Sequence, residues 1–160
     1  PHVATRPITD DLTDAGREVL QNIAEHHVHV MNVTSEDGVP AFSYTVGLWH
    51  HFEQPEVIVF GLGVEAADAL LHAVAEACVR GVRFAGGEKH EGLLVDLAVR
   101  FLDVDAAVAA PYLGAAGWAY QDEPYGCVQL VWPDKEKRWP WQQGVRQGLR
   151  DVQPLLGPHP

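Results

Sequence analysis

The stretch "VHVMNVTSEDGVPAFSYTVGL", residues 28–48, decides how this chain folds. Asp37-Gly38 is a strong two-residue hairpin signal. It is flanked by two runs rich in β-branched and aromatic residues, as strands prefer. If Asp37-Gly38 is the centre of the turn, residues whose numbers sum to about 75 or 76 face each other. Residues 27–34 then pair with 41–48. His26 and His27 lie across from Trp49 and His50, so histidines gather at the open end of the hairpin. His27 and His29 share a face because strand side chains alternate with period two.

Working outward, Thr9 or Asp10 is placed to cap a first helix. Leu12, Ala15, Val19, Leu20 and Ile23 recur at helical spacing towards Glu25 or His26. After the hairpin, "HHFEQPE" reads as a loop, and "EVIVFGL" as an apolar, central strand. "GVEAADALLHAVAEACVRG" is the clearest helix, with Leu70, Leu71, Val74 and Cys78 on its buried face and Gly81 placed to end it. "GLLVDLAVRFLDV" alternates, which puts Leu93, Val95, Leu97, Val99 and Phe101 on one face of a single strand. "DAAVAAPYLGAAGWAY" is helical with a break at Pro111, and "YGCVQLVWP" is a last strand. The expected order is α-β-β-β-α-β-α-β. It defines an α+β domain with a curved, mainly antiparallel sheet, split-barrel-like in one version, covered by a long helix. Residues 1–8 read as a flexible N-terminus, 9–145 as the domain and 146–160 as a C-terminal tail.

The chain has 160 residues and a formal net charge of −11. One domain of this size buries a core without disulfide help. Acidic chains repel phosphates and anionic lipid, so neither nucleic acid nor a membrane surface is an expected partner. Two cysteines, Cys78 and Cys127, make neither a disulfide framework nor a Cys-rich zinc site. No apolar run approaches a membrane span and the N-terminus lacks a secretory layout, so the expected location is the cytoplasm.

The histidines offer one functional reading. Imidazoles are common ligands of zinc and iron, and His27, His29, His50 and His51 are the candidate ligands of a divalent metal. A lone imidazole can instead act as an acid or base near neutral pH. The competing reading is of strand-end histidines facing water. Tyr44, Thr45, His50 and Asp134 are the candidate catalytic groups. Tyr44, Thr45, Gln129 and Asp134 are polar groups on or beside apolar strands, where they form either an internal hydrogen-bond network or a pocket. Trp118, Trp132, Trp139 and Trp141 could wall such a pocket. "WPD" at 132–134 has no phosphatase loop to accompany it, since neither cysteine is followed by the required Gly and Arg.

Pro40, Phe42, Tyr44, Thr45, Gly47 and Leu48, followed by Pro55-Glu56 and Gly61-Leu62, form one block. Gln129, Trp132, Pro133 and Asp134, with Pro140-Trp141, form a second. Together they resemble a bacterial family catalogued as domain of unknown function 4262, over roughly residues 20–142. Gln54 departs from that pattern, in which His precedes Pro-Glu, and "DKEKR" replaces a Gly-containing turn. A second resemblance is to flavin-binding split barrels of the flavin reductase type. It implies a flavin held by strand-edge backbone and by Ser43, Tyr44 and Thr45, with Gln129 also a cofactor-binding candidate. The absence of a basic residue in this block to meet the phosphate counts against it. Three function classes follow: a small-molecule-binding or enzymatic domain, a flavin domain, and a non-catalytic interaction or immunity protein.

Overall fold

The structure, a computed structural model, describes residues 4–160. In chain order the elements are α1 (Asp14–His26), β1 (His29–Val33), β2 (Phe42–Val46), α2 (Leu48–Phe52), β3 (Glu56–Phe60), α3 (Val64–Val79), β4 (Lys89–Leu94), β5 (Leu97–Val104), α4 (Ala106–Ala109), α5 (Gly114–Ala119), β6 (Cys127–Val131) and α6 (Gln147–Val152). The strands form one open sheet in the order β1-β2-β3-β6-β5-β4. β3 and β6 run parallel at its centre and every other pairing is antiparallel. The α+β class holds. The sheet is mixed and open, with β1 and β4 at its edges, and does not close into a split barrel.

The hairpin forms in the expected register. His29 faces Val46, Met31 faces Tyr44 and Val33 faces Phe42, each pair summing to 75. Asp37 and Gly38 both take the left-handed backbone that such a turn requires. The return strand stops earlier than expected, at Val46, and residues 48–52 turn into α2 instead of continuing as strand and loop. The first helix also starts later than expected. Its cap is Thr13, whose Oγ1 accepts a hydrogen bond from Gly16 N at 3.0 Å.

Helices cover both faces of the sheet. On one face, Leu70, Leu71, Val74 and Cys78 of α3 pack over Val57, Val59, Val99, Phe101, Val128 and Leu130. On the other, α1, α4 and α5 meet Phe42, Tyr44, Val46, Ile58, Phe60 and Val104. α3 has 16 residues and serves one face only. Val95 does not join it. It is 88% exposed, at the tip of a β4–β5 hairpin in which Asp96 has φ 59° and Leu94 pairs with Leu97. Residues 93–101 are therefore two strands, not one. The alternation of Leu93, Val95 and Leu97 runs through the turn, so periodicity alone cannot reveal it.

Leu71 is fully buried at the centre of the α3 contact. Leu71→Ala should therefore cost about 2–5 kcal/mol, the transfer term plus the cavity left behind. Urea unfolding measures this directly, and a loss below about 1 kcal/mol would contradict the packing described.

The chain termini are held by specific bonds. Arg6 N donates to Ala119 O at 2.6 Å and Arg6 Nε to Trp118 O at 3.1 Å. Residues 1–3 of the expected flexible segment lie outside the described residues. At the other end, the Gln153 side chain accepts from Trp132 N and donates to Trp132 O, at 3.1 and 2.8 Å. The Gln129 side chain does the same for Leu156 N and Pro154 O, at 2.8 and 2.7 Å. The segment after α6 thus lies across β6.

Candidate functional site

Glu56 opens β3, and its side chain is fully buried. The antiparallel β2–β3 pairing and the parallel β3–β6 pairing bring three chain ends together here: the exit of β2, the entry of β3 and the entry of β6. Five donors converge on its carboxylate. Oε1 accepts from Thr45 Oγ1 at 2.8 Å and Leu48 N at 3.2 Å. Oε2 accepts from Gly47 N and Trp49 N, both at 3.1 Å, and from Tyr120 OH at 2.5 Å. The Tyr120 hydroxyl accepts from His50 N in turn, at 3.2 Å. The first backbone N–H groups of α2, which no intrahelical partner can reach, are therefore satisfied by one carboxylate and one phenol. Thr45 completes the cage. Its Oγ1 also accepts from Val57 N at 2.9 Å, where the β2–β3 ladder has ended.

Burial pushes the Glu56 carboxyl above its ordinary range, while the bonds from Tyr120, Trp49, Thr45 and Gly47 pull the other way. Burial and then the neighbouring Glu56 raise Tyr120 far above a normal phenol, so it stays neutral and can donate. The three backbone N–H groups can only donate, whereas the two hydroxyls can reverse. The cage can thus hold Glu56 in either protonation state.

α2 carries His50 and His51 to the surface beside His27, the residue that ends α1 with φ 70°. The His51 ring meets His50 edge-on, with centroids 4.6 Å apart, and His27 at 5.2 Å. His51 Nε2 lies 2.7 Å from Ile23 O. A carbonyl only accepts, so that nitrogen carries the proton and the tautomer is set. Gly47, at φ 125°, and Glu53, at φ 52°, bracket α2. His27 and Glu53 are the left-handed caps that end α1 and α2.

The four-imidazole set does not assemble. His29 stands apart on β1, its Nδ1 2.9 Å from Asn22 Nδ2, and burial lowers its pKa. Among the described residues no group of three or more His, Cys, Asp or Glu side chains is arranged to hold a metal ion. The other candidates are engaged internally. Tyr44 OH accepts from Ala115 N at 2.9 Å, Ser43 Oγ donates to Asn32 Oδ1 at 2.6 Å, and Gln129 holds residues 154–156. These three, with Thr45, were the flavin candidates, and each hydroxyl or amide already has a partner inside the fold.

Asp134 sits at the opposite end of β6 from Glu56. It closes a turn by accepting from Glu136 N, Arg138 N and Arg138 Nε. A single pocket spanning residues 44–51 and 129–134 is therefore not formed. The tryptophans are dispersed as well. Trp118 packs on the α1 side, Trp132 on the α3 side, and Trp139 stacks on Trp141. Burial pushes the thiols up, Cys78 to about 11 and Cys127 to about 12, so neither is a ready nucleophile.

Glu56 enters the sequence reading only within the Pro55-Glu56 motif and not as a site residue, and Tyr120 does not enter it. The available signal was an acid at the head of the otherwise apolar run "EVIVF". Gln54 was noted only as a departure, yet it is fully buried and clamps the Phe84 backbone, accepting from Phe84 N and donating to Phe84 O.

Fold and site define a class: a mixed-sheet α+β domain in which a buried carboxylate anchors a short, histidine-bearing helix. The chain belongs to the family described as Domain of unknown function (DUF4262), whose profile matches residues 22–146. That span contains the whole Glu56 cage. Comparison with curated proteins and with solved structures gives no match. No helix among the described residues is long and apolar enough to cross a membrane.

Proposed function

We propose that the chain is a small-molecule-binding domain whose ligand meets the imidazoles of His27, His50 and His51, with His50 as the acid–base group. One observation carries the reading: five donors from α2 and its neighbours lock onto Glu56. A five-residue helix has too few internal bonds to hold its own geometry. Here it is fixed from below, which presents its two histidines in set positions, as a binding constellation requires. Glu56 is too deeply buried to touch a ligand and serves as a positioning residue. Of the four catalytic candidates, Tyr44, Thr45 and Asp134 hold the fold through their own hydrogen bonds, and His50 is the one that belongs to the imidazole surface of α2.

NMR of the imidazole nitrogens during a small-molecule fragment screen tests this. Bound fragments should shift His27, His50 and His51 together, and a His27→Ala/His50→Ala double variant should lose those hits while keeping its fold. Hits that leave all three imidazoles unmoved would end the proposal.

A further inference from the structure

Two hollows lie between the β4–β5 hairpin and the segment that follows β6. The two, of about 480 and 680 Å³, share Leu94, Leu97 and Pro133 and so form one trough. One end is apolar, walled by Leu62, Trp132, Leu149 and Val152, and the other is more polar, with Lys89, Glu91, Asp96 and Lys137 around Trp139. A glycine in β4, Gly92 at φ 92°, lies where the register shifts and bends the hairpin over the trough.

The rim is cationic in a chain of net charge −11. Lys89 and Lys137 line one hollow, and Lys135 and Arg146 the other. Arg100 lies with its guanidinium 5.4 Å from the centre of the Trp139 ring. Four acids also border the trough. Arg138 pairs with two of them, Asp134 and Glu136, and offsets one of their two charges, while Glu91 and Asp96 line the hollow beside Lys89 and Lys137. Among the described residues, none of Lys89, Arg100, Lys135, Lys137 or Arg146 forms an ion pair with the protein.

Two of these placements cost stability. Lys89 and Arg100 are directly opposite on paired strands, where like charges repel. Lys137 holds φ 64°, a conformation that a glycine would take without strain. Arg100 Nε is, moreover, the buried side-chain polar atom without a partner among the described residues. The like-charge repulsion of Lys89 and Arg100 and the unmet Arg100 donor, which lies against Trp139 of the trough, would both be offset by a bound anion, and the Lys137 strain is the cost of keeping that ammonium at the rim.

We infer that this trough binds an amphipathic anion, a small molecule with an apolar body and one carboxylate-like head. The body lies along Leu94, Leu97, Pro133 and Trp132, and the head faces Lys89 and Lys137. The site is separate from the imidazole surface of α2 and does not depend on it.

The test uses the full chain with sodium decanoate and decyltrimethylammonium, each below its micelle concentration, followed by tryptophan fluorescence. Decanoate should bind saturably and about tenfold or more tighter than the cation of the same tail, with an affinity that falls as salt rises. Lys137→Gly separates binding from folding. It relieves the backbone strain, so its melting temperature should hold or rise, while its decanoate affinity should fall about threefold. Lys89→Ala/Lys137→Gly should lower affinity further. Equal binding of the two amphiphiles, no saturable decanoate binding, or wild-type affinity in Lys137→Gly would each overturn the inference.

Discussion

Replacing Glu56 by alanine should cost about 3–5 kcal/mol of folding stability. Each stranded buried donor costs about 1–3 kcal/mol, partly recovered where water enters. Three of the five donors are backbone N–H groups of residues 47–49, which cannot turn elsewhere. Glutamine is the informative second variant. Its carbonyl can take the Oε2 position and still accept from Gly47 N, Trp49 N and Tyr120. Its amide then faces Thr45, which can accept, and Leu48 N, which cannot. One donor is stranded, so Glu56→Gln should cost about 1–3 kcal/mol.

The pH dependence has a definite sign. Burial, the dominant cause, raises the folded carboxyl above its unfolded value near 4.5. Its favourable contribution is therefore fully present below that value and is lost as pH rises through the folded value. Glu56→Gln does not titrate. The advantage of wild type over Glu56→Gln should thus be largest in acid, shrink as pH rises, and then level off. Urea unfolding of both proteins at intervals between pH 4 and 8 reads this out, and an advantage that grows with pH would refute the assignment.

Gly47→Ala is expected to damage the α1–α2 junction severely. Gly47 holds φ 125° and ψ −20°, a combination side chains rarely adopt. An added Cβ would also lie 2.6 Å from the backbone oxygen of His27 and 3.2 Å from Ile23 Cγ1. The oxygen is main chain, so it cannot swing aside as a side chain would. Strain and clash together should cost about 2–4 kcal/mol. The damage should be local first, since Gly47 both starts α2 and abuts the end of α1. Amide exchange should quicken in residues 47–53 and 24–28 before it does in β3 or β6. Uniform loss of protection across the whole sheet would show that α2 is not a separable unit.

The sequence by itself determined what local chemistry controls. Asp37-Gly38 set the hairpin and its register of 75, because a two-residue turn leaves little freedom in how its flanking strands pair. The 16 residues of α3 were legible because an apolar stripe at helical spacing carries its own record of which face is buried. Pro111 marked the break between α4 and α5. Where several local codes agree, the element follows from them alone.

Tertiary structure decided the rest. Val95 reads as a core position by alternation, but Asp96 takes a left-handed backbone and turns it out to water. α2 is too short to be specified by propensity, and it exists because Glu56, from the next strand, and Tyr120, 64 residues further on, satisfy its N–H groups. That arrangement has no local signature. His27, His50 and His51 meet because α2 folds back onto α1, and not by extension of the hairpin that first placed them together. The cationic trough is likewise assembled from Lys89 on β4 and from Lys137 and Arg146 in the much later segment after β6. A buried charge chooses its donors by position in space, so the cage and the site it supports could be seen only once the strands had been brought side by side.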